Sequence, residues 1–215
     1  MPLIPCRGHE RRLWLCREYE ITPIAHLKLL KGQRLDSCAG GEITDNYFRF
    51  HARRRGNPED FGDIICGYPT GCDFCDILNI DKPPLFNPLR AEPGGGGGAG
   101  GGNGGNNPAQ EQWNPCMLQL SNAVKILLAY LPYREDSPLS NIQEKICNYP
   151  FCNPFPKYIK SVNTVLRNYD LTMDDVLEDI ERQNGPIKDF HFNLLSRTIR
   201  DLGEEDCFSR YIDNE

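Results

Sequence analysis

The chain has no apolar run near the roughly 20 residues that a membrane-spanning helix needs, and it carries only three methionines and two tryptophans. Arg7, His9, Glu10, Arg11 and Arg12 stand where a secretion signal would need its apolar core. No membrane contact is therefore expected, and the ten cysteines are expected in a reducing intracellular compartment, nucleus or cytoplasm, as thiols or metal ligands. Several catalytic signatures are missing too. There is no phosphate loop, no Gly-x-Ser-x-Gly and no His-Glu-x-x-His, so nothing marks the chain as an enzyme. Hydrophobic residues make up 39% of the 215, and the net charge is −6. That sign argues against a general nucleic-acid coat.

The charge is unevenly placed. Residues 1–92 carry 13 Lys+Arg and 13 Asp+Glu, whereas the remainder carries 11 and 17. All of the excess negative charge thus lies in the second half, which suits a module that binds a protein partner or itself. Between the halves, Gly94–Gly105 holds ten of the twenty glycines. Such a tract loses too much entropy on ordering to bury anything. The organisation expected is a module over 1–92, a flexible linker over 93–112 spanning roughly 25 Å on average, and an acidic helical domain over 113–215.

The second half has clear helical punctuation. Asn114 and Pro115 read as N-cap and first turn, followed by Met117, Leu120, Val124, Leu127, Leu128 and Leu131 on one face. Pro156 opens a helix with Ile159, Val162, Leu166 and Tyr169 inward. Thr172 and Asp175 form a capping-box pattern ahead of Met173, Val176, Leu177 and Ile180, and Asn184-Gly185 ends that helix. Pro186 starts a fourth, with Ile187, Phe190, Leu194 and Ile199, which stops at Gly203. These four predict a small bundle.

The first half shows no repeating apolar stripe. Ile24–Leu30 reads as a helix ended by Gly32, and Tyr47–His51 alternates like a short strand. A module with so little apolar pattern needs another source of stability, and its ligand density points to zinc. Cys66-x5-Cys72-x2-Cys75 supplies three thiols, with Gly67 and Gly71 letting the backbone curl. His51 or Cys38 could be the fourth ligand. Cys6-x2-His9, with Cys16 and His26 beyond, offers a second set. Buried free thiols are the competing reading. In the second half, Cys147-x4-Cys152 reads as core thiols in preference to another metal site. The fold class expected is α+β: a zinc-stabilised module with little regular structure, plus a helical bundle.

Arg49, Arg53, Arg54 and Arg55 flank His51, and with Tyr47, Phe48 and Phe50 they make a basic, aromatic segment. Arginines of this kind grip phosphates and aromatics stack on bases, so the segment could contact DNA or RNA. A solvated loop in a neutral module is the favoured reading. The acidic group Asp174, Asp175, Glu178, Asp179 and Glu181 occupies a helix start, where negative charge favours the dipole, and reads as a solvated face.

The Arg53-Arg54-Arg55 run leading into Cys66, Cys72 and Cys75, with the later Cys147/Cys152 pair, resembles small cysteine-rich non-structural proteins of densoviruses, the insect parvoviruses. The glycine tract also resembles the polyglycine of parvoviral capsid proteins. The resemblance covers motifs scattered over residues 49–152. It implies an accessory role in viral genome replication or expression in the host nucleus, through zinc-supported contacts, and carries over no catalytic residue. The function expected is thus a non-enzymatic zinc-binding accessory protein. The alternative is a zinc-dependent nucleic-acid-processing enzyme with an open metal position.

Overall fold

A computed structural model of the chain describes residues 3–57, 59–90, 113–135 and 137–209. The expected linker over 93–112 lies outside them. The first half holds helix α1 (His9–Glu18), strands β1 (Tyr19–Lys28), β2 (Leu35–Asp36), β3 (Glu42–Ile43), β4 (Asn46–Arg54) and β5 (Phe61–Gly67), helix α2 (Tyr68–Leu78) and strand β6 (Leu85–Phe86). The second holds α3 (Pro115–Tyr130), α4 (Leu139–Asn148), α5 (Pro156–Asn168), α6 (Met173–Asn184) and α7 (Asn193–Asp201). The class is α+β, with far more regular structure in the first half than its sequence suggests.

The principal sheet runs β5-β4-β1-β6, antiparallel except for β6 beside β1, and β2 and β3 form a separate hairpin. The segment read as a helix over Ile24–Leu30 instead falls largely in β1. A central strand buried on both faces reads as a continuous apolar run, which periodicity cannot tell from a short buried helix. Pro23 sits in this strand at a bulge, where the register slips between Pro23 and Ala25. Proline has no N–H for the ladder, so an irregularity is where a strand tolerates it. The expected strand over Tyr47–His51 is the centre of β4.

Side chains alternate across β4 and give each face its own core. On one face Phe48, Phe50 and Ala52 join Ile64, Cys66, Leu15, Phe74 and Cys75 beneath α1 and α2. On the other, Tyr47 joins Ile24, Leu27 and Ile65 against Leu120, Val124, Leu127, Ile142 and the rest of the helical half. The apolar core that the first half lacked as a linear pattern is therefore present, assembled from strands and shared with the helices. Tyr47 donates from its hydroxyl to the Leu128 carbonyl at 3.2 Å, and the Lys188 N–H donates to the Pro88 carbonyl at 2.8 Å.

In the helical half, α3, α5 and α6 follow the predicted starts. Asn114 accepts from the N–H groups of Cys116 and Met117, and the Thr172–Asp175 capping box is complete. Two features differ. Residues 186–192 are extended, with an isolated bridge from Ile187 to Leu89, so α7 begins only at Asn193. The helix α4 was missed because Ser140, Gln143 and Glu144 lie among its buried residues. Among the described residues no helix is long and apolar enough to cross a membrane.

Candidate functional site

The expected metal ligands fall into separate groups. Cys6, Cys38 and Cys66 lie together at the β5 edge: the Cys6 N–H donates to the Cys38 carbonyl at 2.9 Å, and the Ile65 N–H donates to Cys38 Sγ at 3.3 Å. The Cys66 thiol hydrogen-bonds Cys6, which lowers the Cys6 thiol below its ordinary value, helped by Arg12 and Arg11. The same bond, together with burial, pushes Cys66 up. Cys72 and Cys75 sit on α2. Cys16 lies on α1, its thiol raised to about 11 by burial and by Asp73. His9 Nδ1 is 2.9 Å from Asp73 Oδ1, and Arg12 pairs with the same carboxylate, clamping α1 to α2. The remaining candidate, His51, is on the opposite face of the sheet from Cys66, because alternation along β4 and β5 separates them. Among the described residues no three Cys, His, Asp or Glu side chains form a group that could hold a metal ion. In the second half, Cys207 is buried, Cys116 half-buried and Cys152 exposed, whereas Cys147, exposed as a residue, turns its sulfur toward Gln143 and the Ile24 carbonyl, and burial raises its thiol.

The basic segment is also divided. Arg49 is 4% exposed, so it forms no part of a phosphate-gripping surface. Its Nε and Nη2 donate to Asp63 Oδ2 at 3.0 and 2.7 Å. Asp63 is fully buried; His51 Nδ1 lies 3.1 Å from its Oδ1, and Ser140 Oγ donates to Oδ2 at 2.9 Å. Burial works against ionisation of Asp63, but the bonds from His51, Arg49 and Ser140 hold its pKa below the ordinary value. The Arg49 guanidinium stands 5.1 Å from the centre of the Tyr133 ring, and burial, then Asp63, raise that phenol to about 12. This serine does not face the histidine as a nucleophile would face its base. The cluster instead ties β4 and β5 to α4. Arg53 lies 3.6 Å from Glu144, Arg54 lies 3.2 Å from Asp60, and Arg55 is exposed. The signal was available in the sequence: Arg49, His51 and Arg53 alternate with Phe48, Phe50 and Ala52, so a strand must turn the two sets to opposite faces.

A surface missed at first stands at the α4–α5 connection. From Lys145 to Tyr169 the sequence has four cations (Lys145, Lys157, Lys160 and Arg167) and no Asp or Glu, inside the acidic half. Within it Tyr149, Phe151 and Phe155 are 59%, 49% and 65% exposed. Lys157 Nζ lies 5.6 Å from the Phe155 ring centre and 5.2 Å from that of Tyr158, and those two rings meet edge-on at 5.9 Å. The loop is pinned to the start of α3, where the Asn114 N–H donates to the Pro150 carbonyl at 3.1 Å and Asn114 Nδ2 to Asn153 Oδ1 at 2.8 Å. Pro150, Pro154 and Pro156 restrict it further. Large exposed aromatics on a constrained loop, bracketed by lysines, are suited to stacking and to anion contact.

Residues 5–206 match the sequence profile of the family described as Uncharacterised conserved protein UCP028583. The chain belongs to that family. No curated protein and no solved structure matches it. The match runs from the segment beside β5 through α7, so the family unit includes both the sheet and the helices.

Proposed function

We propose that this protein is a non-enzymatic accessory factor that binds single-stranded nucleic acid through the Lys145–Tyr169 surface. The observation that carries the reading is the coincidence of three exposed aromatics with four cations and no acid in one stretch of an otherwise acidic half. Bases stack on aromatic faces whatever their identity, each stacked base contributing about 1–3 kcal/mol, while lysines neutralise phosphates. Phe151 and Phe155 provide the faces. Lys145 and Lys157 are the phosphate partners of choice, because Lys160 and Arg167 both approach Glu204. The start of α5 adds to this, since its first turn contains no acidic residue.

Fluorescence anisotropy with a labelled single-stranded oligonucleotide tests the reading. Binding is expected at low salt, with log K falling against log salt by about 0.7 per phosphate contact. Lys157→Ala should flatten that slope by about one contact, and Phe155→Ala should weaken binding while leaving the slope alone. Folded protein that gives no low-salt binding removes nucleic acid as the partner and leaves the aromatic surface to a protein.

A further inference from the structure

We propose a second activity, independent of that reading: Cys72 and Cys75 are a thiol–disulfide exchange pair, with Cys72 the attacking and Cys75 the resolving cysteine. Strand β5 runs directly into α2, which begins at Tyr68, and the two thiols stand three residues apart on it. That spacing places them on neighbouring positions of one helix face, with Cβ atoms about 5–6 Å apart, so a modest local adjustment brings them to disulfide geometry.

Their surroundings differ in the sense that exchange requires. Cys75 is fully buried in the core beneath α2, and burial, then the nearness of Cys72, raise its thiol. Cys72 is half-buried at the edge of the same core. Tyr68, one turn earlier and 47% exposed, has its phenol raised by the neighbouring Cys72 sulfur. The same sulfur raises the Lys82 ammonium, which places that cation beside it. Chain reversal brings Lys82 there: Asn79 ends α2 with φ 52°, and the Pro83 carbonyl is held 3.2 Å from His26 Nδ1. Gly71, next to Cys72, is packed so closely on Phe48 that any side chain would overlap the ring. An accessible thiol beside a cation, with a buried thiol one turn on, is the arrangement that redox dithiols use.

The substrate class is a disulfide. In the first step the Cys72 thiolate attacks one sulfur of R–S–S–R, the S–S bond breaks, and R–S⁻ leaves with the electron pair. In the second the Cys75 thiolate attacks Cys72 Sγ and releases the other R–S⁻. The two protons lost by the protein thiols end on the two leaving thiols, so dithiol plus disulfide gives protein disulfide plus two R–SH. A thiol reductant reverses the sequence.

The experiment uses the full chain, reduced and then exposed to oxidised glutathione, with peptide mapping of the products. The wild type should yield a Cys72–Cys75 disulfide with two glutathione thiols released for each one formed. Cys75→Ser should stop at a glutathione mixed disulfide on Cys72, and Cys72→Ser should leave Cys75 unmodified. Lys82→Met should slow the first step without changing the final product. Wild-type protein that keeps a stable mixed disulfide on Cys72, or that leaves Cys72 and Cys75 unlinked, overturns the proposal without recourse to any variant. Zinc retained by both thiols after dialysis against chelator overturns it as well.

Discussion

Ser140 in α4 donates a hydrogen bond of 2.9 Å to Asp63 in β5, 77 residues earlier and on the other side of the glycine tract. The same carboxylate receives Arg49 and faces His51, so one buried side chain gathers two strands and a helix. A buried charge with this many partners fixes how the elements meet, since any other docking would leave it unpaired.

Asp63→Asn should therefore destabilise the fold by about 3–5 kcal/mol, because Arg49 is left as an uncompensated buried charge. The loss should depend on pH. The folded pKa of Asp63 lies below its ordinary value of 3.8, so its contribution is complete above about pH 4 and fades as pH falls through the folded value. Urea unfolding of wild type and variant should show a wide gap at pH 7 that narrows near pH 3. An equal gap at both would show that the folded pKa of Asp63 is not lowered, and a gap that widens toward pH 3 would show that the buried carboxyl is neutral.

Gly71→Ala tests the contact between α2 and β4. The added methyl meets the Phe48 ring, so α2 must lift or Phe48 must leave its place against Phe50 and His26. Overpacking of this kind costs about 1–3 kcal/mol. Thermal melting that matches wild type would mean α2 does not press on the sheet.

Leu27 is fully buried in the core that the sheet shares with the helices. Leu27→Ala should cost about 2–5 kcal/mol and should lower both halves together. With Trp113 replaced by Phe, Trp14 fluorescence reports on the first half and far-ultraviolet circular dichroism chiefly on the helices. The two transitions should coincide. Separate midpoints would show halves that fold independently.

The sheet has an apolar core on each face, a source of stability that needs no metal. A strong chelator should leave the melting temperature unchanged, with elemental analysis of the same sample as the control. A substantial drop, with metal found in the untreated sample, would show that a bound ion does support the fold.

The helical half was readable because caps and prolines act locally: Asn114, Pro156 and the Thr172–Asp175 pair mark helices without help from tertiary structure. The sheet was not, because its centre is covered on both sides. Burial on two faces removes the alternation that announces a strand, as in β1, and puts Arg49 and His51 where solvent was expected. Helix α4 escaped notice for a related reason, since it turns Ser140, Gln143 and Glu144 inward, toward Asp63 of β5, Ser121 of α3 and Arg53 of β4. The cysteines were legible as a group but not as partners. Spacing along the chain pairs Cys66 with Cys72, whereas the N-terminal segment that bridges to β5 at Leu3 and Asp63 sets Cys6 beside Cys66.

Arg90 and Trp113 bound the glycine tract, and the chain is anchored at both ends: the Arg90 N–H donates to the Pro186 carbonyl at 2.8 Å, and Trp113 packs on the shared core. The covalent connection between Arg90 and Trp113 consequently keeps each half in the presence of the other. A single cut there makes assembly of the sheet with its helices a bimolecular reaction that depends on how much protein is present.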